Sequence, residues 1–177
     1  MIYAFVGKTC SGKSTAFHHL LNLGYATTES YTTRPKRPDE TDGEEYQFIT
    51  KEEFNELQHM SLIVAPRVYN DWYYGMNLLS INPNMNQIVI VDPKGYRDLK
   101  NDIGEENVVG IYFDAPKDVR FYRGANRKDS LEELNRRMAA DEEDFKGIEL
   151  EVDYVISSLY KEDVIKSVRA IIEGDAS

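Results

Sequence analysis

With 177 residues, 41% of them hydrophobic, the chain is long enough to bury the core of one domain. Its 21 Lys and Arg against 31 Asp and Glu leave a net charge of −10, which excludes a broad nucleic-acid-binding face but not local basic clusters around a small phosphorylated ligand. No apolar run reaches the ~18 residues of a membrane span, and no basic-then-apolar leader opens the chain, so no membrane association is expected. The single cysteine, Cys10, excludes an internal disulfide and suits a reducing, cytoplasmic setting, and with three histidines it is too little for the usual structural zinc site.

In chain order, Ile2-Tyr3-Ala4-Phe5-Val6 is a short apolar run of strand type. Gly7-Lys8-Thr9-Cys10-Ser11-Gly12-Lys13-Ser14-Thr15 then reads G-x-x-x-x-G-K-[ST], and residues 15–23 suit a helix that ends at Gly24. Strand, glycine loop and helix is the order that phosphate binding needs, because loop N–H groups and the positive helix end converge on an anion. Lys13 would reach the β- and γ-phosphates, and the Ser14 hydroxyl would ligate Mg²⁺. Residues 26–28 suit a short strand. Residues 30–45 are polar, turn-rich and interrupted by two prolines, and are expected to form a long functional loop.

Tyr46-Gln47-Phe48-Ile49 alternates as a strand, and Thr50-Lys51-Glu52-Glu53 is a capping box opening a short helix. Residues 62–68 and 71–76 suit two strands joined at Tyr69-Asn70, and 79–87 reads as loop. Ile88-Val89-Ile90-Val91, ending at Asp92, has the continuous apolar character of a buried parallel strand. A helix over 93–103, a strand over 108–113 and a helix over 117–127 follow. Ser130-Leu131-Glu132-Glu133 is a second capping box, opening a charged helix to about residue 145, before a strand at 154–156 and a closing helix over 163–173. Alternating strands and helices predict an α/β fold whose parallel sheet is covered by helices on both faces.

Two basic clusters stand out against the acidic background. Thr32-Thr33-Arg34-Pro35-Lys36-Arg37 with Tyr46 could cradle a phosphate, since arginine forks match its oxygens, or could be a solvated basic loop. Arg120, Arg123, Arg127, Lys128, Arg136 and Arg137 form the second cluster. There, arginines could stabilise a transferring phosphoryl group or merely pair with Glu132, Glu133, Asp141 and Glu142 along a solvated helix.

Gly7–Thr15, Ser30-Tyr31-Thr32-Thr33-Arg34-Pro35-Lys36-Arg37, Asp42-Gly43-Glu44-Glu45-Tyr46-Gln47-Phe48, Tyr74-Gly75, and Asp92 with Gly95 together resemble the guanylate kinase family of nucleoside monophosphate kinases. The resemblance covers most of the chain in order. It implies a P-loop NTPase-type core at about 1–31, 86–118 and 150–177, an inserted NMP-binding subdomain at about 32–85 and a helical lid at about 119–149. It implies ATP bound by residues 7–15, with Mg²⁺ at Ser14 and near Asp92. It also implies an acceptor nucleotide held by Ser30, Arg34, Arg37, Tyr46, Tyr74 and Asp92. Lys13 with Arg123, Arg127 and Arg137 would act on the transferring group, Arg137 being best matched to the lid. GMP or dGMP is the first acceptor implied, and the chain would work as a monomer or homodimer. The likeness breaks at the base: the family's guanine-reading acid falls within Leu62-Ile63-Val64-Ala65-Pro66-Arg67, where no acid stands, and its hydroxyl falls on Met76. Another (d)NMP or a small phosphate ester is the alternative acceptor, and a non-catalytic phosphoprotein-binding domain the alternative of another kind.

Overall fold

The computed structural model describes residues 1–37, 40–69, 71–126 and 130–174. The chain opens with β1 (Ile2–Val6), buried throughout, and turns through the glycine loop into α1 (Lys13–Asn22). Short strands β2 (Ala26–Thr27), β3 (Ser30–Thr32) and β4 (Gln47–Phe48) precede α2 (Lys51–His59) and the hairpin of β5 (Ile63–Tyr69) and β6 (Trp72–Asn77). Then come β7 (Gln87–Ile90), α3 (Pro93–Ile103), β8 (Val108–Asp114), α4 (Lys117–Asn126), α5 (Leu131–Asp144), β9 (Tyr154–Ser157) and α6 (Lys161–Gly174). No helix among the described residues is long and apolar enough to cross a membrane.

Five strands form a parallel sheet in the order β2-β7-β1-β8-β9. The period of two divides β1 between two cores. Ile2, Ala4 and Val6 face α3 through Tyr96 and Leu99, whereas Tyr3 and Phe5 meet Phe17 and Leu20 of α1 and Val164 and Val168 of α6. Phe5 pairs with Ile90, so the carboxyl ends of β1 and β7 lie side by side at a switch in strand order, where open parallel sheets bind ligands.

The second sheet has the order β4-β3-β6-β5. Its β5 leans on α3: Val64, Ala65 and Met76 enter the same core as Tyr96 and Leu99, and the Ala65 N–H donates to Asp102 Oδ2 at 2.7 Å.

Three expectations are corrected. The polar stretch from residue 30 is not all loop: β3 pairs Ser30 with Met76 and Thr32 with Tyr74. Ser30 and Thr32 are buried, small enough to sit in a sheet without the apolar alternation that announces a strand. Helix α1 starts at Lys13, two residues earlier than 15, because Gly12 at φ 99 makes the turn itself. Only half of the second capping box forms. Ser130 Oγ accepts from the Glu133 N–H at 3.1 Å, but the Glu133 carboxylate is taken by Arg136 at 2.7 and 2.8 Å. The box at Thr50 and Glu53 is complete.

Candidate active site

The glycine loop joins β1 to α1 over a buried turn. A Cβ on Gly7 would come within 2.6 Å of Ser11 Oγ and 3.0 Å of the Phe113 carbonyl oxygen, so the first glycine is required by close packing. The second, Gly12, has a positive φ of 99. Lys13 folds back over the loop, its Nζ donating to the Gly7 carbonyl and, at 3.2 Å, to that of Lys8. Burial drives the Lys13 ammonium down to about pKa 8; Asp141 opposes the shift and Arg137 adds to it. Cys10 packs with Leu134 and Met138, which seats α5 on the loop.

That seat is reinforced by Asp141 and Glu142, which bind the loop as well as an arginine of the second cluster. Asp141 Oδ2 accepts from the Thr9 N–H at 2.7 Å and Oδ1 from the Thr9 hydroxyl at 3.2 Å. Lys8 pairs with Glu142 at 2.8 Å. Arg120, 2% exposed, donates to Asp141 at 3.4 Å, to Glu142 at 3.2 Å and to the Ala115 carbonyl at 3.2 Å. The signal was available: Leu134, Met138 and Asp141 are spaced as one helix face, so Asp141 points inward with the apolar pair. Of the arginines weighed as mere surface partners, Arg136 is one, paired with Glu133.

Across the cleft stand the acceptor candidates. Arg34 forks onto Glu40 at 2.9 and 2.8 Å, and the Arg37 N–H donates to Glu40 at 2.8 Å. The Arg34 guanidinium lies over Tyr46 at 5.9 Å, and Tyr46 meets Tyr74 edge-on at 6.0 Å. Burial raises the Tyr46 hydroxyl well above the ordinary phenol range, so it remains a donor. Asp92 caps α3: Oδ1 accepts from the Gly95 N–H at 2.7 Å and Oδ2 from Arg67 Nε at 2.5 Å.

One cavity of about 220 Å³ brings these two walls together. From the loop it gathers Gly7, Thr9, Cys10, Ser11, Gly12, Lys13 and Ser14; from the facing wall Arg34, Arg37, Tyr46, Tyr74 and Asp92; and from α5, Arg137. Thr15 and Arg123 line a neighbouring cavity instead, where Arg123 donates to the carbonyls of Ser158 and Leu159 at 2.8 and 2.9 Å. Ser30 lines a third, beside Thr28 and Asn77. Lys8 lies at the loop's outer edge, on Glu142. Arg127 lies outside the described residues. Among those residues no group of three or more His, Cys, Asp or Glu is placed to hold a metal ion.

A phosphate loop at the switch point of a parallel sheet, opposed by an arginine–tyrosine wall, defines a nucleotide phosphotransferase. Comparison with known proteins narrows the class. The guanylate kinase family model matches residues 2–175. A guanylate kinase of Rickettsia bellii (strain RML369-C) is 31% identical over 172 residues, covering 92% of this chain and 87% of its own length. That of Nitrosospira multiformis is 27% identical over 185 residues, covering 98% and 85%. The crystal structure of guanylate kinase from Anaplasma phagocytophilum shares the fold at a TM-score of 0.77 and 20% identity, over 99% of this chain and 85% of that one. The chain belongs to the guanylate kinase family, and it is an ATP-dependent nucleoside monophosphate kinase.

Proposed function

We propose that the chain transfers the γ-phosphoryl group of ATP to GMP or dGMP, with another (deoxy)nucleoside monophosphate as the alternative acceptor. The observation that carries this reading is the shared cavity, with Lys13 and Ser14 on one wall and Arg34, Arg37, Tyr46 and Tyr74 on the other. Phosphoryl transfer asks a protein chiefly to align donor and acceptor and to neutralise charge, and two opposed phosphate sites meet that need.

In this account the loop N–H groups and Lys13 hold the triphosphate. The acceptor's phosphate takes the guanidinium groups of Arg34 and Arg37, which both stand at Glu40, with Tyr46 and Tyr74 donating beside them. Charge-assisted bonds of this kind contribute about 1.5–3 kcal/mol each. Arg137 reaches the transferring group from a helix that Asp141 and Glu142 hold against the loop. Arg123 acts indirectly, tying α4 to the loop that precedes α6. Mg²⁺ would arrive with the nucleotide and be held by the Ser14 hydroxyl, an oxygen donor of the kind it takes, supplying charge neutralisation. Both Asp92 oxygens already accept hydrogen bonds, which favours a role toward the acceptor over a metal ligand. The division into core, acceptor subdomain at about 32–85 and lid at about 119–149, and a cytoplasmic monomer or homodimer, belong to the same reading.

One observation favours an acceptor other than guanine. The stretch in which the family's guanine-reading acid falls, residues 62–67, holds no carboxylate, and Met76, at the position of its hydroxyl, is 2% exposed in the apolar core and offers a base N–H only a weak thioether acceptor. Incubation with ATP, Mg²⁺ and each monophosphate tests the proposal: diphosphate formed from a guanine nucleotide supports it, and none from any monophosphate refutes it.

A further inference from the structure

Strand β5 carries a bulge. The register with β6 pairs Val64 with Met76 and Arg67 with Tyr74, so three steps on one strand match two on the other, and Ala65 within the irregularity has φ 50. An extra residue of this kind re-aims the side chains that follow it. Without it, Val64 and Arg67 would face opposite sides of the sheet. With it, both point to the face on which β6 presents Met76 and Tyr74. The bulge therefore delivers Arg67 to the same side as Tyr74, with which it lines the cleft.

Arg67 is held there on three sides. Its guanidinium lies over the Tyr74 ring at 5.2 Å, and its Nε donates to Asp92 Oδ2 at 2.5 Å. Its flat face rests on Gly95, where a Cβ would come within 2.8 Å of Cζ and 2.9 Å of Nη1. The side chain is 6% exposed, yet it lines the cleft, and Nη1 and Nη2 donate to no described residue. Among those residues the only fully enclosed side-chain polar atom without a partner is Thr28 Oγ1, so the Arg67 amino groups open into the cavity rather than into protein. An arginine fixed by packing, with two donors aimed at a ligand cavity, is built for a ligand acceptor atom.

We propose that Arg67 is the specificity-determining residue of the acceptor site, donating from Nη to the exocyclic carbonyl oxygen of the acceptor's base. This rests on the kinase reading above. Asp92 stands beside it with a lone pair left on each oxygen, so the pair offers a donor next to an acceptor. A lactam edge, O=C–N–H, as in guanine, thymine and uracil, presents that pair with the acceptor on the exocyclic position, whereas the amidine edge of adenine and cytosine presents it in the reverse order. Arg67 set opposite the exocyclic position and Asp92 opposite the ring nitrogen therefore read the first and reject the second.

The test measures kcat and KM for dGMP, dTMP, dUMP, dAMP and dCMP, together with KM for ATP and the thermal midpoint, in wild type, Arg67→Met, Arg67→Lys and Gly95→Ala. Gly95→Ala keeps the arginine and improves helix propensity while pushing the guanidinium aside, so it answers even where Arg67→Met fails to fold. Wild type should prefer lactam-bearing acceptors. Arg67→Met should raise their KM and cut the lactam-to-amidine ratio about 10–100-fold, with Lys retaining part of it and KM for ATP unmoved. Gly95→Ala should shift the ratio the same way. Equal loss on all five acceptors, a lowered midpoint with unchanged ratios, or a wild type that prefers adenine or cytosine overturns the assignment and leaves the kinase reading standing. A wild type that turns over no monophosphate fails the kinase reading and this inference with it.

Discussion

Replacing Asp141 with alanine should be among the most damaging single changes outside the apolar core. The carboxylate is 8% exposed and takes three donors: the Thr9 N–H at 2.7 Å, the Thr9 hydroxyl at 3.2 Å and Arg120 Nη1 at 3.4 Å. Removing one partner of a buried pair typically costs about 3–5 kcal/mol, because the remaining charge stays buried without its counter-ion. Two features hold the value to the low end. Arg120 keeps Glu142 at 3.2 Å, and the Thr9 N–H borders the cleft, where water reaches it. About 3 kcal/mol is therefore expected, or about 6–12 °C in Tm for a domain of this size. Asp141→Asn should cost about half as much, since an amide oxygen can still accept from Thr9. Chemical and thermal unfolding measure both, with ATP affinity in parallel. ATP should bind more weakly in the alanine variant, because α5 no longer clamps the loop, while the structural damage spares the Arg34–Glu40 wall. A loss under about 0.5 kcal/mol would refute the clamp.

The other predictions concern Lys13, the acceptor wall and one orphaned hydroxyl. Lys13→Met should lower kcat by about 10²–10³-fold, the usual effect of losing one charge-stabilising group, with the midpoint preserved; a change under tenfold would remove Lys13 from the transfer site. The depressed Lys13 pKa of about 8 means that the free ammonium is largely deprotonated above that pH, and bound polyphosphate restores it. ATP binding should thus take up protons near pH 8.5 and almost none at pH 7, as calorimetry in buffers of different ionisation enthalpy would reveal. By the same sign, the unfolded lysine binds more protons than the folded one between about 8 and the ordinary value of 10.5, so this residue's contribution makes stability rise with pH across that window. Arg37→Ala should raise the acceptor KM or lower kcat while leaving ATP affinity within about twofold, read from initial rates. Thr28 Oγ1 is buried without a partner among the described residues, so Thr28→Val should be neutral or stabilising by up to about 1 kcal/mol; destabilisation by more than about 1 kcal/mol would show the hydroxyl to be satisfied in solution.

Much of the fold was legible because its signals are local. The unbroken apolar runs of β1 and β7 announced buried parallel strands, and the glycine loop between β1 and α1 announced a phosphate site. Strand β3 was hidden because Ser30 and Thr32 are polar and its partners are separate segments, β4 beside Thr32 and β6 more than forty residues onward. The acceptor wall was legible as residues but not as interactions, since nothing in the spacing says that Arg34 turns to Glu40. Asp141 and Arg67 were harder still. The first is an acid on an apolar helix face, and the second depends on a bulge that changes which side of the sheet a residue faces. Periodicity puts Asp141 on the inward face but does not name Thr9 as its partner, and the side Arg67 takes depends on a pairing between separate strands.

The central claim is that the two walls of the cleft form one transfer site, and single-turnover phosphoryl transfer from γ-labelled ATP to a panel of ribo- and deoxy-monophosphates tests it most directly. The account predicts labelled nucleoside diphosphate from at least one guanine or other lactam-bearing acceptor, lost together in Lys13→Met and Arg34→Ala. Label appearing only in inorganic phosphate, or undiminished transfer in either variant, would contradict it.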